Sequence, residues 1–154
     1  MTAVSLAETH DDITCRSRRH ARAQHLVTAD EHSLVDLELF LATLPLCATG
    51  RVFVEVPDAT WVSDLAVPAR MSVTWLDRSA RRGEPGTGRF CGTGLALTRA
   101  VTAYADEVIC DEHAPTITLL AGFVATADIV DHLTSRRGVD RARIMTTPEV
   151  AAYL

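Results

Sequence analysis

From His25 onward the chain alternates between two hydrophobic rhythms, and their order sets out the expected fold. The run His25-Leu-Val-Thr-Ala-Asp30 is apolar and ends in an acid, as a buried strand does at its polar exit. After it, Leu34, Leu37, Leu41 and Leu44, with Phe40 beside them, recur at helical spacing and predict a helix packed on a sheet. Pro45 and Gly50 mark its exit. Arg51 to Val56 then changes to a period of two, with Val52, Val54 and Val56 on one face and Phe53 and Glu55 on the other. Pro57-Asp58 ends that strand, and a loop holding Trp61, Pro68 and Arg70 leads to a third strand, Met71 to Arg78.

The second half repeats these rhythms around a Gly-rich connection. Residues 81–94 read as a long, flexible loop before a helix that begins at Leu95 and runs through Tyr104. Thr116 to Gly122 reads as a buried strand, followed by a helix from about Thr126 to Arg137 with Ile129, Val130 and Leu133 as its apolar stripe. Gly138 is the residue expected at a left-handed C-terminal cap. A last strand, Ala142 to Thr146, is stopped by Pro148. The order strand, helix, strand, strand, helix, strand, helix, strand predicts a three-layer, Rossmann-like α/β fold, with a mostly parallel sheet of about five strands and helices on both faces. Residues 1–24 lack a sustained apolar period, so we expect a mobile N-terminal tail there and one α/β domain over 25–154. The basic cluster Arg16 to Arg22 is either a docking arm for an acidic partner or a solvated tail.

At 154 residues and 16.7 kDa the chain has the size of one ordinary domain. Its formal net charge of -5 argues against a nucleic-acid or anionic-membrane surface, because such surfaces need clustered cations. The N-terminus has no apolar signal region, and no stretch reaches the roughly 20 apolar residues of a transmembrane helix, so the expectation is a cytoplasmic protein. Cys15, Cys47, Cys91 and Cys110 are scattered without a Cys-x-x-Cys pair, which signals neither a disulfide framework nor a zinc site. Cys110 and His113 have metal-ligand spacing but form half a site at most. The histidines are scattered and no Ser-His-Asp order stands out, so no catalytic nucleophile is nominated; His32 and His113 read as surface imidazoles.

Candidate chemistry gathers at the strand ends, since a parallel sheet binds ligands outside the carboxyl ends of its strands. In the turn Thr28-Ala-Asp-Glu-His-Ser33, helix-start amides with Thr28 and Ser33 are suited to a pyrophosphate, while Asp30 and Glu31 repel phosphate and are good caps themselves. A Gly-x-Gly-x-x-Gly fingerprint is absent from this turn. Glu55, with Asp58, stands where dinucleotide-binding folds hold an adenosine ribose, and Glu55 is equally the polar member of an alternating strand. Arg78, Arg81 and Arg82 follow the third strand; they suit a cofactor phosphate or form a solvated basic loop. The runs Gly86-Thr-Gly88 and Gly92-Thr-Gly94 read as a phosphate cradle or as simple loop flexibility.

Taken in order, His25 to Leu34, Gly50 to Ala59, Val73 to Arg78, Leu120-Ala-Gly122 and Arg136 to Ile144 resemble the C-terminal domain of the siderophore-interacting proteins, over residues 25 to about 147. In that family the domain is similar to the pyridine-nucleotide domain of ferredoxin-NADP reductases and follows a flavin-binding β-barrel. Electrons pass from a nicotinamide cofactor or ferredoxin through FAD to a ferric siderophore. The resemblance implies that the Asp30 to Ser33 turn meets the pyrophosphate, the region after Arg78 the adenosine phosphate, and the Gly122 turn the nicotinamide of NADPH or NADH. The 24 residues before His25 are too few for a barrel, so the expectation is no FAD in this chain and a separate flavoprotein as partner, through which a ferric siderophore is reached. Relatives carry an acid directly after the Ala-Gly of the fourth strand, where this chain has Phe123. Their aromatic and basic tail is replaced here by Thr146 to Leu154, with Tyr153 the one aromatic to stand in. The rival expectation is a non-catalytic binding or regulatory module that keeps the fold without binding a cofactor.

Overall fold

The computed structural model describes residues 23–83, 86–110 and 115–154. Five strands, β1 (Gln24–Asp30), β2 (Thr49–Val56), β3 (Arg70–Asp77), β4 (Thr116–Leu119) and β5 (Ile144–Thr146), form one sheet in the order β3-β2-β1-β4-β5. Every neighbouring pair is parallel. The helices are α1 (Leu34–Ala42), α2 (Leu95–Val108), α3 (Phe123–Asp131) and the short α4 (Pro148–Ala151).

The alternation in β1 and β2 sorts residues to the two faces of the sheet. Val27, Ala29, Val52, Val54 and Val56 pack with Leu37 and Leu41 of α1. Leu26, Phe53, Leu76, Ile117, Leu119 and Ile144 pack on the opposite face with Leu97 and Val101 of α2 and Ile129 of α3. Both faces are covered, as a parallel sheet requires, and the expected three layers are present. The β2–β3 connection crosses the α1 face without an α-helix. It contains one 3-10 turn, Ala59–Trp61, and Leu65 and Val67 complete that layer.

Several boundaries differ from the sequence expectation for physical reasons. Gly50 does not mark the exit of α1 but lies inside β2, opposite His25, with φ +135°. A Cβ at that position would stand 1.9 Å from the His25 carbonyl oxygen. Helix α3 starts at Phe123 rather than near Thr126, because its N-terminus is held by a carboxylate distant in sequence, described below. It continues into a π-helical turn, His132–Arg136, and Gly138 then adopts the expected left-handed conformation, φ +65°. Residues Arg141–Arg143 form a 3-10 turn capped by Asp140, which shortens the last strand, and Pro148 opens α4 in its first turn.

In the connection expected to be a flexible loop, described residues on the two sides of 84–85 pair with each other. Arg82 and Phe90 form an antiparallel bridge, and the Gly83 amide donates to the Arg89 carbonyl at 2.8 Å. Of the expected tail over 1–24, residues 1–22, with Cys15 and the cluster Arg16 to Arg22, lie outside the described residues, as does His113, while Gln24 is the first residue of β1. No helix among the described residues is long and apolar enough to cross a membrane.

Candidate functional site

The strand order reverses between β1 and β4, and the chain leaves both strands there on diverging paths. Asp30 at the end of β1 ties the two exits together. Its Oδ2 accepts the Gly122 amide at 2.7 Å, and its Oδ1 accepts the His32 amide at 3.0 Å and the Ser33 hydroxyl at 3.2 Å. Ser33 Oγ in turn accepts the Asp30 amide at 3.0 Å. The turn after β1 is thus closed by its own side chains, and the same carboxylate supplies a partner at the N-terminus of α3.

A second network lies beside it, at the ends of β2 and β3. Glu55 is fully buried, and its Oε1 accepts the Gly94 amide at 2.6 Å while Oε2 accepts the Leu97 amide at 2.8 Å, capping α2 from another strand. Gly94 is required for this approach: its φ is +85°, and a Cβ would come within 3.0 Å of the Ala125 Cβ. Arg78 donates to Glu55 Oε1 at 3.0 Å and to both oxygens of Glu31, at 2.7 and 3.1 Å. The Arg78 hydrogen bonds hold the Glu31 carboxyl below its ordinary range, burial opposing. Reciprocally, Glu31 first and Glu55 second push the Arg78 pKa upward, against its own desolvation.

Above these networks two clefts adjoin. The larger, of about 500 Å³, is lined by Asp30, Ser33, Gly122, Phe123 and Tyr153, with the carboxyl side chains of Asp36 and Glu149 at its sides. The Phe123 and Tyr153 rings meet edge to face, centroids 5.9 Å apart. The smaller, about 200 Å³, lies between the starts of α2 and α3 and shares Asp30, Gly122 and Phe123 with the first.

Residues 22–148 match the family model described as siderophore-interacting protein. This chain belongs to the siderophore-interacting protein family. Two solved structures that it resembles carry related descriptions. One is the siderophore-interacting protein SipS from Aeromonas hydrophila, at TM-score 0.61 and 18% identity, covering 82% of this chain and 50% of that one. The other is a siderophore utilization protein from T. fusca, at TM-score 0.54 and 26% identity, covering 82% of this chain and 44% of that one. This siderophore-interacting protein chain therefore spans about half the length of the solved structures it matches.

The fold brings the residues singled out from this siderophore-interacting protein's sequence into separate groups. Asp30, Ser33 and Gly122 meet at the larger cleft; Glu31, Glu55 and Arg78 form the neighbouring ion network. The structure gives Glu55 a role that the strand pattern did not contain, the cap of α2. Thr28 is fully buried beneath the site, with a hydroxyl that has no hydrogen-bond partner, and lines neither cleft. Arg81 is exposed and lines other surface clefts with Arg82, on the hairpin after β3. Of the Gly-x-Gly runs, Gly94 is the member whose backbone joins the site. Asp36 and Glu149 were missed. Asp36 reads as an ordinary first-turn acid, and nothing local links Glu149 to a turn more than a hundred residues earlier.

Proposed function

We propose that this chain serves iron-siderophore metabolism in the cytoplasm as the nicotinamide-dinucleotide-binding half of a ferric-siderophore reductase, with flavin and siderophore held by a separate flavoprotein. The observation that carries this reading is the cleft of about 500 Å³ at the reversal of strand order, the position where open parallel sheets take nucleotides. NADPH or NADH bound there would supply a hydride.

The residues lining the cleft fit such a ligand in two respects. The Phe123–Tyr153 pair offers an apolar wall to a planar ring, and the first turn of α3 presents backbone amides to a diphosphate oxygen. Asp30 has its charge met by three donors, so it repels an incoming anion less than a bare carboxylate would.

A specific observation favours the second reading, a binding or regulatory module without cofactor. The acid at the ribose position, Glu55, is buried and committed to α2 and Arg78, and Asp36 and Glu149 add negative charge to the cleft. Thermal unfolding with added dinucleotide separates the two. Saturation about tenfold above Kd stabilises the folded state by about 1.4 kcal/mol, a rise of about 3–5 °C for a chain of this size. A flat melting temperature with both NADPH and NADH, each at ~1 mM, selects the second reading.

A further inference from the structure

The hairpin between β3 and α2 concentrates positive charge on a chain that is acidic overall. Arg81, Arg82 and Arg89 are exposed on it, and the described residues from Arg78 to Ala100 include no Asp or Glu; Glu84 lies outside the described residues. The hairpin's described residues are tied together. The Arg82–Phe90 bridge closes it, the buried Gly83 leaves no room for a Cβ, which would stand 2.6 Å from the Phe90 carbonyl oxygen, and Arg99 of α2 donates to the Gly83 carbonyl at 3.2 and 3.3 Å. Two adjoining clefts, of about 360 and 330 Å³, flank it and share Arg81 and Arg82. Phe90, at the bridge, is 91% exposed.

We propose that Arg81, Arg82, Arg89 and Phe90 form a docking epitope for an acidic protein segment, with Phe90 as its apolar anchor and the three arginines as the surrounding cations. Arginines around an aromatic side chain are the composition of binding hot spots. A basic patch on a chain of net charge -5 also orients an acidic partner during encounter. A ring standing 91% clear of the surface contributes little to enclosing a small anion, but it inserts readily between side chains of a second protein. The inference does not depend on dinucleotide binding at the strand ends.

The test uses the full chain and a fluorescein-labelled, glutamate-rich peptide with one central leucine, followed by anisotropy. Binding is expected, weakening steeply between ~50 and ~300 mM salt as the charges are screened. Arg82→Ser and Arg89→Ser should each weaken it about threefold, the size of an exposed charge contact, with the melting temperature held. Phe90→Ala should weaken it without changing the salt dependence, and Leu→Ser in the peptide should do the same. The proposal is overturned if the peptide does not bind, if the arginine variants bind it as the wild type does, or if ~10 mM inorganic phosphate displaces it completely at constant ionic strength, which would mark a small-anion site.

Discussion

The Glu55 carboxylate is buried against three donors, the Gly94 and Leu97 amides and the Arg78 guanidinium, so changing it strands all three. Glu55→Gln removes the charge and turns an amide N–H₂ toward a backbone donor; we expect a loss of about 3 kcal/mol, read from the urea unfolding midpoint. Arg78→Met alone should also destabilise. In a double-mutant cycle with Glu55→Gln the pair should lose less than the sum, because the second change no longer breaks an intact ion pair. The strand period placed Glu55 on the α2 face opposite the valines. Its role was not legible, because its partners stand 23, 39 and 42 residues further along the chain. His25 gives a second residue-scale expectation. It is buried with both ring nitrogens unpartnered, and burial lowers its pKa below the ordinary 6.5. The folded protein therefore holds the neutral ring more firmly than the unfolded chain does. Its contribution is complete above pH 6.5 and declines as pH falls toward the lowered folded value, by up to about 1.4 kcal/mol per pH unit. His25→Leu should flatten this part of the stability profile between pH ~7.5 and ~5.5; a difference between wild type and variant that is independent of pH would refute it.

Among the elements, β1 and β2 depend on one glycine at their shared beginning. Gly50 combines φ +135° with backbone contact to His25, so Gly50→Ala must push the two strands apart at the start of the central pair. We expect it to cost at least about 3 kcal/mol, or to prevent folding, whereas Gly92→Ala, exposed and with open space at its Cβ, should stay within about 0.5 kcal/mol. Circular-dichroism melting of the two variants makes the comparison. Element identity and order were legible because each rests on a local hydrophobic period: the valines of β2, the leucines of α1 and the Ile129-Val130-Leu133 stripe. The start of α3 and the Arg82–Phe90 pairing after β3 were less so. The first is set by Asp30, 92 residues earlier, and the second by an arginine of α2 that reaches back to Gly83. Neither interaction leaves a periodic mark in the sequence.

On the scale of the whole molecule, the cleft and the hairpin carry opposite charge. Carboxyl side chains of Asp36 and Glu149 line the cleft at the reversal of strand order, and arginines gather on the hairpin after β3. If the cleft takes a dinucleotide, Asp36→Asn with Glu149→Gln should tighten NADPH binding about threefold to tenfold at low salt, with the gain shrinking as salt is added. Calorimetric titration measures it, and an unchanged Kd would mean that the diphosphate does not pass these acids. The Asp30–Gly122 hydrogen bond bears on how the molecule assembles. β1 can pair with β2, and Asp30 Oδ1 can meet His32 and Ser33, as soon as the first crossover closes, but Asp30 Oδ2 lacks its partner until β4 has docked beside β1 and brought Gly122, 92 residues on, into place. That contact carries a long loop-closure cost, which favours its forming late. The cleft is then finished only when the chain's two halves have met, and any ligand that fills it acts as a clamp on the last step of folding.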